Sequence, residues 1–183
     1  MPVSAGTHQL GPGSGTLHVK TYREGMASKV GHDLTFEVTK WEATVTVAEG
    51  GALSSLELSA DPRSLEVSDA TGGAKALSDK DRTTEIPKNI DDKVLGGEPI
   101  SFRSTEAQLA QEGGTLSASG ELTMAGDTHP VSAQLSVDPD GHVTGTIPLT
   151  QSDWGIKPFK AMMGALKVKD GVDVVIDARL PSS

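Results

Sequence analysis

Leu116-Ser117-Ala118-Ser119-Gly120-Glu121-Leu122-Thr123-Met124, followed shortly by Val131-Ser132-Ala133-Gln134-Leu135-Ser136-Val137, decides the fold. Apolar or small residues alternate with polar ones at a period of two. Successive side chains on a strand point to opposite faces, so each segment reads as a strand with one dry and one wet face. Val143, Ile147 and Leu149 continue the pattern opposite Thr144 and Thr146, and Val172, Val174, Ile176, Ala178 and Leu180 close it opposite Asp173, Asp177 and Arg179. Short connections, such as Asp140-Gly141, require these strands to be antiparallel. A long antiparallel meander with one apolar face curls to hide its edges, which predicts an all-β barrel.

The same rhythm extends towards the N-terminus. Leu17, Val19 and Thr21 alternate with His18, Lys20 and Tyr22, and Leu34, Phe36 and Val38 share one face of a later strand. The phase slips at Thr39-Lys40 before Trp41, Ala43, Val45 and Val47 resume, as at a bulge or corner. Leu56, Leu58 and Ala60 start the next strand. Ile86, Ile90 and Val94 recur every four residues, with Pro87 near the start, and predict a short amphipathic helix over 86–95. Gln151 to Gly171 is an irregular insert holding Trp154, Ile156, Phe159, Met162, Met163 and Leu166. Residues 1–13 read as a flexible lead and 14–181 as one domain.

Composition narrows the function. The chain has 183 residues and a formal net charge of −9. That balance argues against sequence-independent nucleic-acid binding and disfavours docking on anionic lipid headgroups. There are no cysteines, so thiol chemistry and thiolate zinc sites are excluded. No stretch reaches the length of a membrane span, and no basic start precedes an apolar run, so the expectation is a cytoplasmic protein. Hydrolase, nucleotide-binding and zinc-protease motifs are missing from the sequence, so no catalytic residues and no enzyme are expected. His8, His18, His129 and His142 are scattered, so no metal site is expected. Asp79, Asp81 and Glu85 read as a solvated approach to the helix.

Aromatic residues make up 3% of the chain, and the inward faces carry Ala60, Ala118, Gly120, Ala133, Gly145 and Ala178. Small inward residues either leave a hollow or let opposing walls approach more closely; periodicity does not separate the two.

Several motifs carry a family resemblance. Gly31-His32-Asp33-Leu34 with Phe36-Glu37-Val38, Leu77-Ser78-Asp79-Lys80-Asp81-Arg82, Pro99-Ile100-Ser101-Phe102-Arg103-Ser104-Thr105, the hairpin Gly120 to Val131 and Ser152-Asp153-Trp154-Gly155-Ile156 resemble, in order, signatures of the YceI-like family. The resemblance spans roughly residues 14 to 181. It implies a lipocalin-like antiparallel β-barrel of about eight strands with two or three short helices. It also implies an apolar cavity that in relatives holds a polyisoprenoid or similar amphiphile. Many relatives carry Arg where this chain has Gln151, a Phe-rich segment where it has Lys93 to Gly97, and a secretion signal.

The resulting expectation is a carrier or sequestering protein for an isoprenoid quinone or prenyl lipid, requiring no cofactor beyond a bound isoprenoid or fatty lipid. The predicted lining is Leu34, Phe36, Val38, Phe102, Leu122, Met124, Trp154, Ile156, Phe159 and Met163. His32 is the candidate for a headgroup at the mouth, with Asp81 or Arg82 beside it, although it equally suits a structural tie in its loop. Met162-Met163 suits either a lid over the mouth or a fixed cap. The expected partner is a hydrophobic small molecule, without nucleic acid or an integral membrane span. A homodimer is a further expectation from barrel relatives. The alternative is a stress-response or interaction protein whose barrel is filled by its own side chains.

Overall fold

The computed structural model describes residues 3–110 and 114–181. Along the chain the first strands are β1 (Gly6–Leu10), β2 (Gly15–Thr21), β3 (Arg23–Glu24), β4 (His32–Val38) and β5 (Trp41–Val47). They are followed by β6 (Leu53–Ala60), β7 (Leu65–Gly72), β8 (Ile100–Leu109), β9 (Gly114–Met124) and β10 (Asp127–Val137). The last are β11 (His142–Thr150), β12 (Lys160–Ala161), β13 (Leu166–Val168) and β14 (Gly171–Arg179). Among the described residues the single α-helical piece is α1 (Ile86–Asn89), flanked by π-wound turns at Asp81–Glu85 and Ile90–Leu95.

Eleven strands form one curled antiparallel sheet in the order β1-β5-β6-β8-β9-β10-β11-β14-β2-β4-β7. This corrects the expected eight. Two of the extra strands arise because two long strands break at one corner: β4 turns into β5 at Thr39-Lys40, and β6 turns into β7 through Pro62–Ser64; the third is β1. The phase slip in the sequence is this corner. Thr39 N–H donates to the Ser64 carbonyl and Asp61 N–H to the Lys40 carbonyl, holding both bends together. Because β4 pairs with β7 and β5 with β6, the β4–β7 end of the strand order and the β5–β6 pair beside β1 at its other end belong to the same bent hairpin. Asp61 fixes the second bend by accepting from Arg63 N–H, and that bond holds its carboxyl below the usual carboxylate range.

The residues expected as a flexible lead include β1, which pairs with β5 from Gly6↔Val47 to Leu10↔Ala43. Only Leu10 of this strand is buried, so it is held mainly by its backbone ladder. A second small sheet, β12-β13-β3, lies outside the main one and joins the irregular insert to the loop after β2. In place of two or three helices, the described residues hold one α-helical piece with its two π-wound flanks; the remaining helical turns are 3-10 turns of three or four residues.

The interior is filled unevenly. Trp41, Ala43, Val45, Val47, Leu53, Leu116, Leu135 and Val143 are buried. Gly120 and Gly145 serve the close-approach reading: a Cβ on Gly120 would strike the Arg103 carbonyl of β8, and one on Gly145 would meet Leu135 Cδ2 at 2.5 Å. The small residues at these positions therefore let neighbours in. Ala60, Ala118 and Ala133 behave otherwise and border open space.

Candidate ligand cavity

The alternating inward residues of the curled sheet enclose a cavity of about 230 Å³. Its wall is built from β2 (Leu17, Val19), β4 (Phe36, Val38), β6 (Leu56, Leu58, Ala60), β8 (Ile100, Phe102) and β9 (Leu116, Ala118, Leu122, Met124). Strands β10, β11 and β14 supply Val131, Ala133, Leu135, Ile147, Leu149, Val172, Val174 and Ile176. The turn Ile90–Leu95 lays Ile90, Val94 and Leu95 across one end, beside Ile156 of the insert. Among the described residues, only Thr21 and Gln151 bring polar side chains to the wall.

Burial supports a hollow. Val131, Ala133, Ile147, Leu149, Val174 and Ile176 point inward yet are only half-buried. In a filled core such residues touch neighbours on all sides and lose nearly all exposure.

Gln151 sits at the helix-covered end. It is buried, its Nε2 donates to the Lys169 carbonyl at 3.0 Å, and its backbone N–H donates to the Asp170 carbonyl. The side-chain amide is thus pinned, and its oxygen is the acceptor that remains. Nearby, Tyr22 Oη donates to the Asp173 carboxylate at 2.6 Å, which raises the phenol's pKa above its ordinary value.

Of the residues expected to line the site, Phe36, Val38, Phe102, Leu122, Met124 and Ile156 lie on the wall. The other five lie elsewhere. Leu34 packs half-buried against the core, paired with Thr21 and Ala70. Trp154 is buried but spans outward, its Nε1 donating to the Leu122 carbonyl at 2.8 Å and its ring edge-on to His129. Phe159 is 39% exposed and sits under the Lys93 ammonium, 5.8 Å from the ring centroid. Met163 is fully exposed, as Met26 is. Met162 and Met163 therefore face outward, and the cavity end is covered by Ile90, Val94, Leu95 and Ile156 instead. His32 ties its loop, its Nε2 lying 2.8 Å from the Lys75 carbonyl. It shares a surface pocket with Arg82, whereas the Asp81 carboxylate accepts from the Ser78 hydroxyl at 2.7 Å. That hydroxyl is the main reason the Asp81 carboxyl is held below the usual range.

The wall residues that the sequence reading missed are mainly those of β2, β6, β10, β11 and β14. Their signal was present in the same period-two alternation, which identifies inward residues but does not say which of them face space. Among the described residues no group of three or more His, Asp or Glu is placed to hold a metal ion, and no helix is long and apolar enough to cross a membrane.

The model for the YceI-like domain matches residues 16–180. The chain belongs to the YceI-like family. This YceI-like chain resembles several solved structures in fold. One is Burkholderia cenocepacia BcnA, at 14% identity and a TM-score of 0.64 over 89% of this chain and 94% of that one. Another is a Campylobacter jejuni YCEI protein, at 10% identity and a TM-score of 0.53 over 85% and 86%. No curated protein matches the chain. The YceI-like fold is generally a binding fold rather than a catalytic one.

Proposed function

We propose that this protein binds and carries a polyisoprenoid tail, such as that of an isoprenoid quinone or a prenyl lipid, inside the curled sheet. The observation that carries the reading is the half-buried inward face: a continuous apolar wall around a hollow, with polar side chains confined, among the described residues, to Thr21 and Gln151. Apolar burial supplies affinity at about 0.8 kcal/mol per CH₂. At about 230 Å³, the cavity is smaller than the roughly 300–1,000 Å³ typical of small-molecule sites, so it would take part of a tail rather than a whole lipid. It suits a narrow tail, with the remainder of the molecule towards the helix-covered end. There Gln151 contributes a hydrogen-bond acceptor without a charge, which suits a hydroxyl or other neutral donor on the head.

The test is native mass spectrometry of freshly purified protein, followed by organic extraction and mass analysis. A discrete isoprenoid adduct, lost in Ala133→Phe while that variant melts cooperatively, is the expected result. The Phe ring would occupy the space beside the β10 wall. A protein that stays free of ligand when offered a prenyl alcohol or quinone overturns the reading and favours a self-filled core.

A further inference from the structure

The whole-chain charge of −9 conceals a local reversal. From Gly155 to Lys169 the chain carries Lys157, Lys160, Lys167 and Lys169 and no acidic residue. The loop after β2 adds Lys29. Among the described residues none of these five lysines is in an ion pair. The one acid between β3 and the end of that loop, Glu24, sits opposite Lys167 in the β3–β13 ladder.

The same two segments present the exposed large apolar side chains of the molecule. Among the described residues these are Met26, Val30, Phe159, Met162 and Met163. The segments are fastened to each other. Ala27 N–H donates to the Ala165 carbonyl at 2.8 Å, Lys169 N–H to the Tyr22 carbonyl at 2.7 Å, and β3 pairs with β13. A Cβ on Gly25 would collide with the Ala165 carbonyl, so the two loops are in direct backbone contact. Met162 and Met163 both hold positive φ, at 52° and 56°. Two consecutive unbranched residues in the left-handed region are a costly arrangement, and here it points both side chains into solvent.

We infer that this face is a docking surface for a lipid bilayer containing anionic headgroups. Met26, Met162, Met163 and Phe159 enter the headgroup–acyl boundary while the lysines meet lipid phosphates. The combination of apolar tips and cationic flanks is what interfacial binding requires. Two copies paired through this face would set lysines against lysines, which favours anionic lipid over an isologous contact of the patch with itself. Place in the fold supports the assignment. Ile156 lines the cavity three residues before Phe159, and Phe159 lies beneath Lys93, next to the wall residue Val94. A docked molecule would therefore hold the covered end of its cavity against the membrane. The inference extends the tail-binding reading, but its observations are independent of it.

Flotation of the full chain with phosphatidylcholine vesicles, with and without phosphatidylglycerol, tests it. The expected result is partitioning onto the phosphatidylglycerol vesicles that weakens as salt is added. Lys157→Gln and Lys160→Gln should each lower that affinity about fivefold, the equivalent of about 1 kcal/mol per cation near a charged surface. The triple variant M26S/M162S/M163S, whose side chains are all exposed, should abolish flotation and keep its melting temperature. No flotation at low salt overturns the inference, as does flotation that survives the triple variant. Self-association in the ultracentrifuge that the triple variant relieves would assign the patch to a second copy and also overturns it. Extracted lipid from the non-floating variant separates the two readings, because loss of docking with ligand retained leaves the cavity assignment intact.

Discussion

At the scale of single residues, the two tryptophans form a controlled comparison. Both are buried. Trp154 Nε1 donates to the Leu122 carbonyl, whereas Trp41 Nε1 has no protein partner among the described residues. A buried donor without a partner costs about 1–3 kcal/mol, and a satisfied one gives roughly 1 kcal/mol. Trp154→Phe is therefore expected to destabilise more than Trp41→Phe, by about 1–3 kcal/mol in urea unfolding. Equal losses would mean that the Leu122 contact contributes nothing. Gly120 makes a second residue-scale prediction. With the Arg103 carbonyl occupying the space of a Cβ, Gly120→Val must push β8 from β9, with a loss of about 1–3 kcal/mol typical of overpacking visible as a lower melting temperature.

At the scale of elements, legibility followed periodicity. The β9–β10 hairpin could be read because an unbroken period of two runs through both strands, from Leu116 to Met124 and from Val131 to Val137. The insert after Gln151 has no period, so nothing in its residues distinguished the inward Ile156 from the outward Phe159 and Met163. β1 was missed because an edge strand held by backbone pairing needs few apolar side chains. The helix was legible in outline but not in winding. Ile86, Ile90 and Val94 repeat every four residues, which on an ideal α-helix drifts by about 40° per step. A wider winding reduces that drift, and the observed π turns at Asp81–Glu85 and Ile90–Leu95 supply it. Val94→Ser should loosen this cover. The expected outcome is faster release of bound tail in a competition assay, with a stability loss of only about 1 kcal/mol because Val94 is half-buried.

For the molecule as a whole, acid sensitivity follows from three carboxylates. Asp61 is held below the usual range chiefly by the Arg63 backbone N–H, Asp81 chiefly by the Ser78 hydroxyl, and Asp138 chiefly by the His142 backbone N–H. A carboxyl whose folded pKa is lowered stabilises the fold fully above its unfolded value, and that contribution is lost as pH falls through the folded value. The melting temperature should therefore decline once the pH drops below about 4, and Asp61→Asn should flatten part of the decline. A decline of unchanged slope in that variant would remove Asp61 from the account. Sequence reading placed the fold class and about half of the expected wall. It averaged charge over the whole chain, however, and folding segregates charge that an average erases.

The shared bent hairpin has a consequence for how the protein is made. Residues 32–72 pair with themselves, so this corner can assemble as soon as it leaves the ribosome. The seam beside it cannot: β2 pairs with β4 early, from His18↔Glu37 to Thr21↔Leu34, but its other edge waits for β14, from Lys20↔Asp173 to Gly15↔Ala178. Until the last ten or so residues of the sheet are synthesised there is a trough and no pocket, and Leu17 and Val19 lie beside an unpaired edge. The hollow can close only once β14 has been made, and a nascent chain stalled before Gly171 would present its greasy lining to whatever chaperone or neighbour is near.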